Sequence, residues 1–404
     1  MSLPRRITAI SLALGALIAS GGAAYYAWLE YQQNELVTQA RAALKTHRWD
    51  ELEILADRWT TFDPRNGEPW RLLAQAAIRR SEWSAAAKYL WTVPDTDPQI
   101  VQSMIELSKL SFTQLNDPLK GVDACERILR NDPTAAGAQQ QLIWFYAMTL
   151  QREKLLNQIR AAIKVGREPR EAYVYYFLID SFQSADAVKL NERWLESAPD
   201  SELFLVARVL QMPESETGSH DAPAAPSDAP NSRPISSHSK RDLVNTLLGR
   251  FPNNLELLAY QGADCIANGD VERAAMLLSQ ALEGASQDNR FWRIKGWLHE
   301  SRNELEEATI AYRDALTLHP LDWNTMNRLA VVERRRHNLA EVERLTSLVE
   351  RAKVLRADLR KLPAVELVPV SALSEIAKLA RDCGDQEIGL ALERRLSQVR
   401  TRRP

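Results

Sequence analysis

Six histidines, three cysteines and 53 acidic side chains are the chain's raw material for chemistry, yet their spacing assembles none of the usual catalytic sets. His47, His220, His238, His299, His319 and His337 form no HExxH motif and no tight pair with a carboxylate at metal-ligand spacing. Cys125, Cys265 and Cys383 are far apart with no CxxC, which argues against a zinc ribbon or a redox pair and makes them core cysteines. There is no GxGxxG, no phosphate-binding P-loop and no Gly-x-Ser-x-Gly elbow. Glu306–Glu307 and Arg334–Arg335–Arg336 read as solvated charge runs on helices. No metal, cofactor or small-molecule substrate is predicted, and the chemistry left is recognition by a surface.

The elements that would carry such a surface show in a period. Gly262, Gly296 and Ala330 are 34 residues apart in turn, as are Ala274, Ala308 and Val342, and Ala281, Ala315 and Val349. A fixed period of this size means stacked supersecondary units. In 289–322, Trp292, Gly296 and His299 fall on one helical stripe, Asn303 breaks it at a turn, and Ala308, Tyr312 and Ala315 form a second stripe before Pro320. Small residues sit where two helices must approach closely.

This block resembles the tetratricopeptide repeat. The match recurs in 67–100 (Trp70, Leu73, Ala74, Ala77, then Ala86, Leu90 and Pro98) and in 33–66 (Leu36, Ala40, Ala43, then Leu52, Ala56, Trp59 and Pro64). Further units read as 101–135, 136–167, 168–201, 202–254, 255–288 and 323–356, with a degenerate pair at 371–400 turning at Gly384. Lys295 stands in the usual Leu place, 136–167 lacks the closing Pro, and 101–135 needs one extra residue. The resemblance implies an all-α, right-handed α–α superhelix in which each pair contacts its neighbours, and whose first helices line a concave groove holding a protein or peptide partner.

On that reading the partner-binding groove is lined by Arg71, Arg79, Ile105, Lys109, Phe112, Trp144, Tyr176, Arg293, Trp297, Arg334 and Arg335. Trp144, Tyr176 and Trp297 occupy the same place in three units. They form either an aromatic floor beneath a cationic rim, suited to an acidic or C-terminal carboxylate peptide, or packing between adjacent first helices. Arg293 with Arg334–Arg335 resembles the cationic clamp of some family members, although Asn327 and Val331 stand where further polar donors would help.

Arg and Lys total 51, so the formal net charge is −2. That argues against nucleic acid, whose binders need an excess of cations. At the N-terminus, residues 1–6 carry Arg5 and Arg6, and 7–28 is an uncharged stretch ending in Tyr25, Tyr26 and Trp28. As a helix it would span ~33 Å, enough for a bilayer. Cations before the span keep the N-terminus cytoplasmic and export the repeats, to the periplasm of a bacterium. A cleaved signal peptide is the alternative, with Ala19–Ser20–Gly21 as small residues for cleavage. Residues 212–239 are rich in Pro, Ser and Ala and read as a disordered insertion. The order is then an array over 33–211, the insertion, a second array over 240–356, a connector over 357–370 and a capping pair over 371–404. The expected protein is a non-enzymatic, membrane-tethered scaffold for an envelope or secretion complex, or else an exported soluble solenoid binding peptide or glycan.

Overall fold

The computed structural model describes residues 31–213, 240–279 and 284–401, with side chains to 397, and every regular element in them is helical. The chain packs as two compact units dividing after Pro133. In the first, residues 31–45 (α1) pair with Trp49–Phe62 (α2), Gly67–Arg79 (α3) with Trp83–Thr92 (α4), and Ile100–Thr113 (α5) with Pro118–Asn131 (α6). In the second, the pairs are Ala136–Met148 (α7) with Arg152–Lys164 (α8), Glu171–Leu178 (α9) with Ala185–Ser197 (α10), and Glu202–Gln211 (α11) with Lys240–Arg250 (α12). They continue as Leu255–Asn268 (α13) with Val271–Ser279 (α14), Asn289–Ser301 (α15) with Leu305–Leu318 (α16), Trp323–Arg335 (α17) with Leu339–Leu359 (α18), and Val370–Asp382 (α19) with Gln386–Thr401 (α20). Each predicted unit holds one pair.

Local rules recur with the period. In eight pairs the turn holds one residue in the left-handed region, His47, Ser81, Asn116, Leu150, Gly269, Asn303, His337 or Gly384, at φ between 50° and 91°. Six of these eight are not glycine, so most turns carry a small backbone cost. Three successive first helices, α13, α15 and α17, begin on side-chain caps: Asn254, Asp288 and Asp322, spaced by 34, accept from Leu257 N (3.1 Å), Arg290 N (2.9 Å) and Thr325 N (3.1 Å). The close approach inside a pair is visible at Gly296, where an added Cβ would lie 2.6 Å from the Tyr312 ring.

Neighbouring pairs then bury what each alone would expose. In the first unit Leu36, Ala40 and Ala43 of α1 close over Leu52, Ala56 and Trp59 of α2 and Leu72, Leu73 and Ala76 of α3. Each large apolar side chain enclosed this way contributes about 1.5–3 kcal/mol.

The second unit departs from a simple stack in chain order. α8 and α9 reach helices more than 100 residues away: Arg152 donates to Asn289 Oδ1 of α15 (2.7 Å), and Arg160 of α8 pairs with Asp385 (3.3 Å) and Glu387 at the start of α20. Arg395 of α20 donates to the Glu168 carbonyl ahead of α9. The capping pair therefore docks back on the fourth and fifth pairs of the chain, and the array in this unit closes on itself. That overturns the expectation of neighbour-only contacts.

The helix α18 also runs on to Leu359, into the predicted connector, which makes one 3-10 turn at Val365–Leu367. No helix among the described residues is long and apolar enough to cross a membrane. The predicted span 7–28 lies outside the described residues, as do residues 214–239 of the predicted insertion.

Candidate partner-binding surfaces

In the first unit the sequence-predicted residues lie on two first helices, α3 and α5, and serve different purposes. Arg71 of α3 is held by an ion pair to Asp97, which is buried in the loop before α5. Arg79, at the exposed end of α3, stacks its guanidinium 5.6 Å from the Trp49 ring centroid. Phe112 lies against Gly121 of α6, where a Cβ would meet its ring at 2.5 Å, so it packs α5 on α6. Ile105 and Lys109, one turn apart on α5, remain exposed, Ile105 to 45%. By the 34-residue shift Ile105 succeeds Arg71, and Lys109 succeeds the exposed Gln75. Ile105 is thus an exposed apolar side chain on α5 with the exposed Lys109 one turn on.

In the second unit the three equivalent aromatics fare differently. Trp144 is half-buried, edge-on to Trp194 at 6.0 Å. Trp297 is 6% exposed and belongs to the core of α13–α15. Tyr176 is 1% exposed, packs edge-on to His319 at 5.2 Å and donates its hydroxyl to Asp385. Burial, then the Asp385 carboxylate beside it, raises that phenol well above its usual range. The docked capping pair thus covers the place where the groove was expected at Tyr176, and neither Tyr176 nor Trp297 has a face left for a partner.

The three arginines of the expected clamp are not brought together. Arg293 turns inward to Asp322 (2.7 Å) and Asp180 (3.2 Å), whereas Arg334 and Arg335 are exposed and Arg335 reaches Asn303 Oδ1 at 2.5 Å.

Around Arg293 lies a buried polar network that sequence reasoning missed. Asp180, at the end of α9, pairs with Arg152 and accepts from Asn289 Nδ2 (2.9 Å) as well as meeting Arg293. Asn289 also donates to Asp322 Oδ2 (2.9 Å). Arg290 grips Glu256 with both amino groups (2.7 and 2.8 Å) and Asp288 at 2.6 Å. Burial alone would raise the carboxyls of Asp180 and Asp288. The neighbouring guanidiniums, Arg152 and Arg293 for the first and Arg290 for the second, outweigh it and hold both below the usual carboxylate range. His319 is also enclosed here. Burial pushes its imidazole down, and Asp180 and Asp322 only partly offset this. Asp288 and Asp322 cap helices locally, but the ion pairs of the network span pairs of helices and need the closed array.

This arrangement holds charge rather than moving it. Every carboxylate of the network is bound to a guanidinium or an amide, and the Thr325 hydroxyl donates to the Asp322 carboxylate within it. Among the described residues no group of three or more His, Cys, Asp and Glu side chains is placed to hold a metal ion. The three thiols are free, and burial raises Cys125 to about 11 and Cys383 to about 12, so both stay protonated.

Stacked helix pairs that recur with the sequence period define the class: an all-α helix-pair repeat protein. No protein-family model matches the chain, and no curated protein matches it. Among solved structures it is similar to a tetratricopeptide repeat protein from Parabacteroides merdae ATCC 43184, at 11% identity over 74% of this chain and 98% of that one, with a TM-score of 0.28. It is also similar to the APC/C hetero-tetramer Cut9–Hcn1 (12% identity, 92% and 79%, TM-score 0.32) and to the human IFIT1 dimer with m7Gppp-AAAA (12%, 89% and 88%, TM-score 0.31). At such scores the likeness carries no argument, and the class rests on the period and the helix pairs of the chain itself.

Proposed function

We propose that the chain is a non-enzymatic scaffold that captures a protein partner on the first-helix face of its first unit, tethered to a membrane by residues 7–28. The observation that carries this reading is the exposure of Ile105 beside Lys109, while its counterparts in the second unit are filled by the chain itself. A preformed face of this kind binds with little ordering entropy. Its mixed character suits an amphipathic segment with acidic side chains, which would place an apolar anchor on Ile105 and carboxylates near Lys109 and Arg79. The uncharged N-terminal stretch, preceded by Arg5 and Arg6, supports an anchor with the repeats on the exported side and assembly of an envelope or secretion complex as the setting.

A photo-crosslinking amino acid at position 105, compared with one at the exposed Lys88 on α4, tests the face in intact cells. One discrete adduct from 105, lost in Lys109→Glu and absent from 88, is expected. Equal crosslinking from both positions would defeat the reading. For the tether, alkaline extraction should leave the full-length chain in the membrane pellet, whereas a soluble form lighter by roughly twenty residues would show cleavage instead.

A further inference from the structure

A pocket of about 270 Å³ opens in the second unit between the end of α9, α13, α15 and the far end of α18. Its floor is settled electrostatically. Arg152, Arg290 and Arg293 face Asp180, Glu256, Asp288 and Asp322, three positive charges against four negative, so no cation of the floor is left over. Its rim is not. Arg356, in the last turn of α18, and Arg360, the residue that caps its end, stand four residues apart, both line the pocket, and neither has an ion pair to a carboxylate among the described residues. The acid between them in sequence, Asp358, is engaged with Lys361 at 3.1 Å.

Arg356 is confined as well as unpaired. Its guanidinium lies 5.3 Å from the Trp323 ring centroid, and its Nε is sealed from solvent with no hydrogen-bond partner. Burial, and then the charge of Arg360, lower its pKa. Like charges at i and i+4 repel, and a buried donor left unmade costs about 1–3 kcal/mol. Lys240 adds charge at the edge, 5.3 Å from the Tyr260 ring that walls the pocket. An anion held between the two guanidiniums would offset their mutual repulsion.

We propose that this pocket binds a phosphate monoester dianion, gripped by the paired guanidiniums of Arg356 and Arg360. Two adjacent positive charges without counter-ions call for a dianion rather than the single charge of a carboxylate, and planar guanidinium forks match phosphate oxygens bidentately. The volume holds a phosphoryl group with a few atoms behind it, not a folded partner. The phosphate could be carried by a small metabolite or by a modified side chain of a protein. This site is separate from the first-helix face of the first unit, and either reading can fail without the other.

Isothermal titration of the full chain with inorganic phosphate, O-phosphoserine and acetate at matched ionic strength tests it. Saturable one-to-one binding of the phosphates is expected, with acetate at least about tenfold weaker and Arg356→Gln/Arg360→Gln losing at least about tenfold at an unchanged melting temperature. Inorganic phosphate binding as well as O-phosphoserine would identify a free ligand. A further gain with a phosphoserine peptide would identify a protein-borne one. Heats that do not saturate, or that survive within twofold in the double variant, would overturn the site. Should that variant fold poorly, phenylglyoxal labelling of Arg356 in the parent chain decides between the same outcomes: protection by phosphate is expected, and equal labelling with and without phosphate counts against the site.

Discussion

Single residues in this protein answer to two demands, backbone geometry and close packing, and the two can be separated. Gly269 sits at φ 71° with open space where a Cβ would go, so Gly269→Ala should cost about 1 kcal/mol through the backbone alone. At the same place in another pair, Ser81 holds φ 61° with a side chain, and Ser81→Gly should stabilise the first unit by a few tenths to about 1 kcal/mol. Gly296 has an ordinary helical backbone but touches the Tyr312 ring, whose hydroxyl is fixed to Glu300 at 2.7 Å. Gly296→Ala should therefore cost about 1–3 kcal/mol by overpacking. Chemical denaturation of the three variants checks all three signs. If Gly269→Ala proves as costly as Gly296→Ala, the distinction between strain and packing does not hold.

At the scale of helices, the decisive event is the docking of α19 and α20 on α8 and α9. Asp385 shows how it works: it caps α20 through Ile388 N (3.3 Å) and receives Tyr176 and Arg160. A double-mutant cycle between Tyr176→Phe and Asp385→Ala should give a coupling of about 1–3 kcal/mol, since each single change leaves a buried polar group without its partner. Tyr176→Ala should cost about 3–5 kcal/mol, the range for a truncated core aromatic. A variant that keeps its stability but loses partner capture would restore Tyr176 to a binding role. The helix pairs themselves were legible in the sequence because turn and small-residue positions are local and repeat. Each is fixed within a few residues of itself. The fate of Tyr176, Trp297 and Arg293 was not legible, because it depends on contacts between helices far apart in the chain, and no periodic pattern records which pairs meet. Arg356 and Arg360 escaped notice for a related reason: they straddle the end of the 323–356 repeat, and the pocket they line is closed by helices far away in the chain.

Across the molecule, buried charge is concentrated in the second unit, and this gives the chain a predictable response to acid. The imidazole of His319 is held below its ordinary value by burial, so between its folded and unfolded pKa the unfolded chain binds the extra proton. Stability then falls as the pH drops below about 6.5, by at most about 1.4 kcal/mol per pH unit from this one group. Asp180 and Asp288 have depressed carboxyls. Their contribution is complete above the ordinary carboxylate range and is lost as the pH falls through and below about 4. All three groups act in the same direction, so the second unit should loosen on mild acidification before the first. Hydrogen exchange of the full chain at pH 7.5, 5.5 and 4.0, corrected for intrinsic rates, should show protection falling first in α8, α9 and α15. His319→Gln should remove the part of that loss above pH 5, because no proton is then taken up on unfolding there. Uniform loss across both units, or an unchanged profile in His319→Gln, would mean that the closed ionic network does not set the acid limit of this fold.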